Sequence, residues 1–286
     1  PSQMVTVDGK VMAIAFMANA QHLFYRSDIL DKAGVAAPTS YEDVLAAAKA
    51  IKSAGLMEHP FAFNSAPGWN LGEEFVNMYM GTGADFFKPG TAEVSINNEH
   101  GIATLNMMKA LTEYSNPDFL TFNSDATQAL WEAGDLALAT FWGTRAGPIL
   151  DGEGSTEAVT STTVVASAPF LGGGPRPSST LWWDGFSIAS NVSDADAEAS
   201  FIAMMNGISK DMVMANNDLA VWLIDGYQAS ASSAGVSATA QNGAAPYPML
   251  PFMGTLHGAA GGELSEFLQG SESAEQALAD VEAAYT

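Results

Sequence analysis

The sequence predicts an α/β fold, on three observations. Short apolar runs of strand character alternate along the chain with segments of helical period. Apolar residues make up 48% of the 286 residues, enough to build a sizeable core. No repeat of solenoid period cuts across this alternation. At roughly 150 residues per domain, the length suits one large unit or two ordinary ones.

The elements follow in order. Asp8-Gly9-Lys10 is a turn signal, and the apolar run at 11–16 after it reads as a buried strand. A second run, His22-Leu23-Phe24-Tyr25, follows at once. Ser40 with Asp43 forms a capping-box pattern. The helix it starts has one apolar face of Val44, Leu45, Ala48 and Ile51, and Gly55 stops it. Phe61-Ala62-Phe63 is a strand, the stretch 65–70 a loop, and a helix runs on through Phe75 and Met78. After Asn98, the spacing of Ile102, Leu105, Met108 and Leu111 predicts another helix. Ser124 caps a short helix with Ala129 and Leu130, closed by Gly134.

The run 136–141 is a strand that delivers Trp142 at its end, and the β-branched run 162–166 is another. Residues 171–175 are a glycine-rich loop, 186–189 a strand, and Ser193 caps a helix with Phe201, Ile202 and Met205. Residues 229–245, mostly small and polar, read as a connector. Two helices close the chain. The last starts at Ser273 with Gln276 at the capping-box position, and Leu278 and Val281 point inward.

Composition removes several function classes. Ten Lys and Arg against 32 Asp and Glu give a net charge of −22, which would be repelled by phosphate backbones and by anionic membrane surfaces. The chain has no cysteine, so disulfides, thiolate metal sites and cysteine nucleophiles are excluded. No run of about 18 apolar residues marks a membrane span. The start, Pro1-Ser2-Gln3, has neither the basic nor the apolar region of a signal peptide.

Catalytic and cofactor motifs find no support. The glycines at 172–174 lack the Gly-Lys-Ser/Thr of a phosphate loop. The four histidines have no metal-ligand spacing, and Asp151-Gly152-Glu153 lacks the calcium-loop pattern. Glu73 and Glu74 point about 100° apart on a helix and cannot face one another as a catalytic pair. No GxSxG elbow holds a serine nucleophile. The expectation is no catalytic residue, no metal and no cofactor.

A set of aromatics sits in or beside loops at strand ends: Phe16, Trp69, Trp142, Trp182 and Trp183. Polar neighbours go with them: Asn19, Gln21, Asn70, Thr144, Arg145 and Asp184. In α/β folds, ligands bind where strands end. An indole face stacks on the C–H face of a sugar, while amides, carboxylates and Arg take its hydroxyls. Any one of these tryptophans could equally serve packing.

Five stretches carry a resemblance, and they occur in family order over nearly the whole chain. They are the Asp8-Gly9-Lys10 turn with LFYRSDILDKAG at 23–34, PTSYEDVLAAAK at 38–49, LWEAGDLAL at 130–138, WDGFSI at 183–188, and FLQG at 267–270 with AEQAL at 274–278. Together they resemble bacterial extracellular solute-binding proteins of ABC importers, in the carbohydrate-type branch of the maltose-binding protein family.

The resemblance implies a two-lobe α/β periplasmic-binding fold of type II, with solute trapped in a hinged cleft. It implies a non-catalytic component that captures a neutral sugar, oligosaccharide or polyol and hands it to a membrane ABC permease. The expected working form is a periplasmic or extracellular monomer without nucleic acid. A cationic or amino-acid-like solute stays open as an alternative, as does a glycoside-processing enzyme. Family members open with further βα units ahead of the Asp8-Gly9-Lys10 turn. Residues 1–18 and 185–232 are therefore expected as an incomplete N-terminal lobe with exposed apolar faces, and 19–184 and 233–286 as the C-terminal lobe. Carried over by position, the expected solute contacts are Asn19, Trp69, Asn70, Trp142, Thr144, Arg145, Trp183, Asp184 and His257.

Overall fold

A computed structural model describes residues 4–286. The Asp8-Gly9 turn joins β1 (Met4–Val7) to β2 (Lys10–Asn19) as an antiparallel hairpin, with Val7 opposite Lys10. Both turn residues have positive φ, 48° and 75°, as a two-residue hairpin turn of matching twist requires. After Ala20 the chain enters a second sheet as β3 (Gln21–Arg26). Helices α1 (Ser27–Ala33) and α2 (Tyr41–Ser53) follow. The Ser40–Asp43 capping box is formed: Ser40 Oγ accepts from the Asp43 N–H, and Asp43 Oδ2 from the Ser40 N–H, each at 3.1 Å.

Next come β4 (Phe61–Phe63), α3 (Trp69–Gly81), α4 (Glu99–Thr112) and α5 (Ser124–Glu132). The cap of α5 is Asn123, one residue ahead of the expected Ser124. Its Oδ1 accepts from the N–H groups of Asp125 and Ala126. Then come β5 (Leu138–Trp142), α6 (Ala146–Asp151), α7 (Glu157–Thr160) and β6 (Thr163–Ala166).

The second sheet has the order β4-β5-β3-β6, with β4 and β5 parallel and the other pairs antiparallel. Its central strands β3 and β5 are almost wholly buried because both faces are covered. Leu23, Phe61, Phe63 and Leu138 enter the core under α3 and α4. Their neighbours Phe24, Ala62, Ala139 and Phe141 enter a second core with Trp131, Ile149 and Val159 of α5, α6 and α7.

The chain returns to the first sheet along β7 (Thr180–Phe186). The strand expected at 186–189 thus lies earlier, because β7 is held by pairing with β2, from Trp182 opposite Asn19 to Phe186 opposite Ile14. It is followed by α8 (Asp194–Gly207), α9 (Lys210–Ala215) and β8 (Val221–Trp222), the last pairing with β2. The expected connector at 229–245 contains α10 (Ala234–Gln241). Its small residues admit the His22 ring: a Cβ on Gly235 would stand 2.3 Å from that ring. Strand β9 (Ala245–Pro246) pairs with the start of β7, and α11 (Met253–Gln269) and α12 (Ala274–Tyr285) close the chain over α3 and α4. Among the described residues no helix is long and apolar enough to cross a membrane.

Around the first sheet much apolar surface faces solvent. Val11 and Met12 on β2, Phe201 and Ile202 on α8, and Met212 and Met214 on α9 are all exposed. Helix α8 buries none of its residues. Residues 1–3 lie outside the described part.

Candidate functional site

The chain crosses between the sheets at the β2–β3 junction and again along β7. A groove of about 350 Å³ opens beside these crossings. It is lined by Asn19, Trp69, Ser124, Trp142, Thr144, Arg145, Trp182 and Asp184. Trp69 follows β4 and Trp142 ends β5, so the groove lies at the carboxyl ends of two parallel strands.

Three indoles wall it. The ring centroids of Trp69 and Trp142 are 6.0 Å apart, those of Trp69 and Trp182 5.9 Å, and those of Trp142 and Trp182 6.1 Å. Trp69 lies 26° from the plane of Trp142 and 60° from that of Trp182. Trp69 is half exposed, at 50%.

The α3 start that carries Trp69 is set by the contact of α3 with α11. The Gly68 N–H donates to the Gly261 carbonyl at 2.8 Å. A Cβ on Gly261 would stand 1.9 Å from the Gly68 oxygen, so only glycine permits this approach.

The polar edge is largely self-satisfied. Asn19 Nδ2 donates to Thr144 Oγ1 at 3.3 Å, and its Oδ1 accepts from the Ala20 N–H. Arg145 Nη1 is held by the Asp125 carboxylate at 2.8 Å and by Gln128 Oε1 at 2.9 Å. The Asp184 carboxylate accepts no hydrogen bond from the described residues, and partial desolvation raises its pKa from the ordinary value. The groove therefore offers one unpaired carboxylate, while its only cation is neutralised. Among the described residues no group of three or more His, Asp or Glu side chains could hold a metal ion.

The structure brings Asn19, Trp69, Trp142, Thr144, Arg145 and Asp184 together. It places three expected residues elsewhere. Trp183 points to the opposite face of β7 from Trp182, because successive strand residues alternate, and its ring lies across Gly185. Trp182, on the same face as Asp184, takes the groove position instead. Asn70 sits in the first turn of α3 and is not part of the lining. His257 is buried behind Trp69, its ring centroid 5.0 Å from the indole. Sequence reasoning also missed Ser124 as a lining residue, having assigned it to the cap.

A buried polar set backs the groove. Glu73 Oε1 accepts from Trp182 Nε1 at 3.0 Å and from Thr180 Oγ1 at 2.9 Å. Burial pushes the Glu73 carboxyl up to about 8 and the Glu74 carboxyl well above its ordinary value. His257 Nε2 lies 2.8 Å from the Trp69 carbonyl, so that nitrogen carries the proton. Its Nδ1 then accepts from the Tyr247 hydroxyl at 3.0 Å. Burial lowers the His257 pKa, which keeps the ring neutral.

The fold has many counterparts. A solute-binding protein of an ABC transporter from Agrobacterium radiobacter, in complex with ribitol, matches with a TM-score of 0.82 at 20% identity, over 98% of this chain and 72% of that one. Maltose-bound MalE3 of T. maritima matches with a TM-score of 0.83 at 20% identity, over 100% of this chain and 75% of that one. The architecture is thus the type II periplasmic-binding fold. A Deinococcus radiodurans protein described as a probable ABC transporter-binding protein is 24% identical over 195 residues, covering 65% of this chain and 44% of its own length. The chain therefore spans less than half the length of that curated relative. The description of bacterial extracellular solute-binding proteins fits residues 3–208, most of the chain, and the chain belongs to that family.

Proposed function

We propose that this chain is the solute-binding part of an ABC importer, taking up a neutral sugar, oligosaccharide or polyol without chemical change and delivering it to a membrane permease. One observation carries the reading: three indoles stand about a groove whose Arg145 is neutralised by Asp125, leaving Asp184 as an open acceptor. Indole faces stack on C–H surfaces, and a carboxylate takes hydroxyl donors. An anionic solute would need unpaired Arg or Lys, and the groove offers none. The ribitol and maltose held by the two structural neighbours are solutes of the proposed class.

Closure about the two strand crossings traps the solute by adding contacts from the side of the first sheet. The remaining contacts fall to Trp69, Trp142, Trp182 and Asp184, with Asn19, Thr144, Arg145 and Ser124 at the edge. The protein works outside the cytoplasmic membrane, as a monomer, and its net charge of −22 disfavours nucleic acid.

The unpaired Asp184 favours a second reading, a cationic solute. Calorimetry against maltose, ribitol, mannitol, putrescine and glucuronate separates the two. Saturable binding of maltose or a polyol is expected. Binding of putrescine alone would overturn the sugar reading, and hydrolysis of maltose would overturn the non-catalytic one.

A further inference from the structure

Glu73 and His257 never reach the groove, yet each grips one of its walls. Glu73 is fully buried on α3. With Asn77 one turn later on the same helix face, it meets the start of β7. Asn77 Oδ1 accepts from the Thr180 N–H at 2.7 Å, and Glu73 Oε1 accepts from Trp182 Nε1 at 3.0 Å. His257, buried on α11, donates to the Trp69 carbonyl, and Tyr247 joins the two halves. The Tyr247 hydroxyl bonds His257, and its ring centroid lies 4.3 Å from that of Trp182. Glu73 Oε2 has no hydrogen-bond partner and lies 3.8 Å from His257 Nδ1.

A buried carboxyl with an unsatisfied oxygen is poor for stability, and an apolar group of the same volume would serve packing as well or better. Its use here lies in direction. The torsion about an indole's attachment is broad and roughly two-fold, so packing alone leaves the ring's tilt loosely set. A hydrogen bond to a fixed buried acceptor removes that freedom.

We infer that Glu73 and His257 are positioning residues of the groove: Glu73 sets the tilt of the Trp182 indole and His257 fixes the backbone at Trp69, so the two walls meet a sugar or polyol preorganised. The inference rests on the sugar and polyol reading. Preset walls spare the solute the cost of ordering two large side chains.

The test joins calorimetry with nuclear magnetic resonance of the Trp182 indole N–H, assigned through Trp182→Phe. Trp182 Nε1 also lies 2.8 Å from Thr180 Oγ1 on its own strand, so Glu73→Met removes the acceptor that ties the ring to α3 and leaves the hydroxyl alone. It is expected to weaken the tightest-binding member of the sugar and polyol panel by about tenfold, the scale of one buried hydrogen bond, while thermal unfolding stays at or above the parent's. The indole N–H resonance should move and its protection from exchange should fall, with Thr180 Oγ1 as its remaining partner. Glu73→Gln keeps an acceptor of the same size and should restore affinity to within about threefold.

A pH series adds a readout that packing alone would not give. The groups facing Glu73 are Glu74 on α3, His257 on α11 and Tyr247 after β9, with Thr180 and Trp182 uncharged on β7. The Trp182 resonance should titrate near pH 8 in the parent, as Glu73 ionises, and stay flat in Glu73→Gln. Affinity within about threefold of the parent in Glu73→Met, with the Trp182 resonance unmoved, overturns the inference. Should Glu73→Met fail to fold, a titration that persists in Glu73→Gln overturns it. If no panel member binds the parent, the sugar reading fails by itself, and the Trp182 resonance in Glu73→Met still decides whether Glu73 holds the indole.

Discussion

Trp182 Nε1 lies 3.0 Å from Glu73 Oε1, so a strand that crosses between the two sheets is tied to a helix packed on one of them. The contact reaches across 109 positions of sequence. It places Trp182 beside Trp69 and Trp142 while its neighbour Trp183 turns away. The three groove indoles should therefore behave alike, and Trp183 should not. Trp69→Ala, Trp142→Ala and Trp182→Ala are each expected to weaken sugar or polyol binding by about 1–3 kcal/mol. Trp183→Ala should bind as the parent does. Calorimetry on the four variants checks this, and equal loss in Trp183→Ala would remove the strand-face assignment.

Asp184 is the one groove carboxylate without a protein partner, so it should act on the solute directly. Asp184→Asn keeps size and one acceptor but loses the charge. Affinity for a polyhydroxylated solute should fall by about 1.5–3 kcal/mol, the range for hydrogen bonds to charged groups. Arg145→Met should matter less, because Arg145 is already held by Asp125 and Gln128. A larger loss in Arg145→Met than in Asp184→Asn would reverse the roles.

The buried carboxyls should leave a mark on stability against pH. Glu73 rises from 4.5 to about 8 on folding, so between these values the folded state holds a proton that the unfolded state has released. Its contribution is present below pH 4.5 and is lost as pH rises to 8. His22 works the other way: burial lowers it from 6.5 to about 4, and its contribution is lost as pH falls through that window. From pH 6.5 to 8, therefore, the carboxyl effect stands alone. Glu73 alone should account for a loss of about 2 kcal/mol over that interval in urea melts, so Glu73→Gln should lose less than the parent by about that amount, with Glu74 supplying what remains. Equal slopes in the two proteins would mean Glu73 is ionised in the folded state at neutral pH.

Local signals made much of the fold legible. The Asp8-Gly9 turn, the capping box at Ser40, the simple Ser273 cap, and the strands before Trp69 and Trp142 depend on neighbours a few residues away. The face of β7 is legible too: Trp182 and Asp184 are two apart on one strand and must share a side, so Trp183 must turn away. The support of the groove was not legible. Glu73 and His257 are 184 positions apart, and they meet Trp182 and Trp69 only through a helix crossing that no local pattern announces. Helix α10 escaped because its alanines, serines and glycines have the composition of a linker, and its packing against His22 decides otherwise.

The exposed apolar face around the first sheet should be visible in solution. Contiguous apolar surface of this kind marks interaction or association. Phe201 is 46% and Ile202 54% exposed on α8, beside Met12 and Val11 on β2. The protein should bind an apolar dye at neutral pH while fully folded. Phe201→Ser with Ile202→Glu should lower dye binding and leave the groove unchanged. Dye binding that is absent in the folded parent would show this face to be covered.

The glycines where α3 meets α11 give the sharpest test of how the groove is positioned. Gly261 and Gly262 are consecutive in α11, and each costs helix stability relative to alanine by about 1 kcal/mol. They differ in surroundings. A Cβ at Gly262 meets nothing within 4 Å, whereas one at Gly261 would fall 1.9 Å from the Gly68 oxygen and 2.5 Å from its carbonyl carbon. Those atoms are backbone and cannot swing aside. Gly262→Ala should therefore raise stability by about 0.5–1 kcal/mol. Gly261→Ala gains the same propensity but must part the helices, for a net loss of about 1–3 kcal/mol. Parting them also stretches the bond from the Gly68 N–H to the Gly261 carbonyl and shifts Trp69, the next residue. Gly261→Ala should thus weaken solute binding as well as melting earlier, while Gly262→Ala binds as the parent does. Paired urea melts and calorimetry read both effects. Gly261→Ala matching Gly262→Ala in each would show that the start of α3 is set by something other than this crossing.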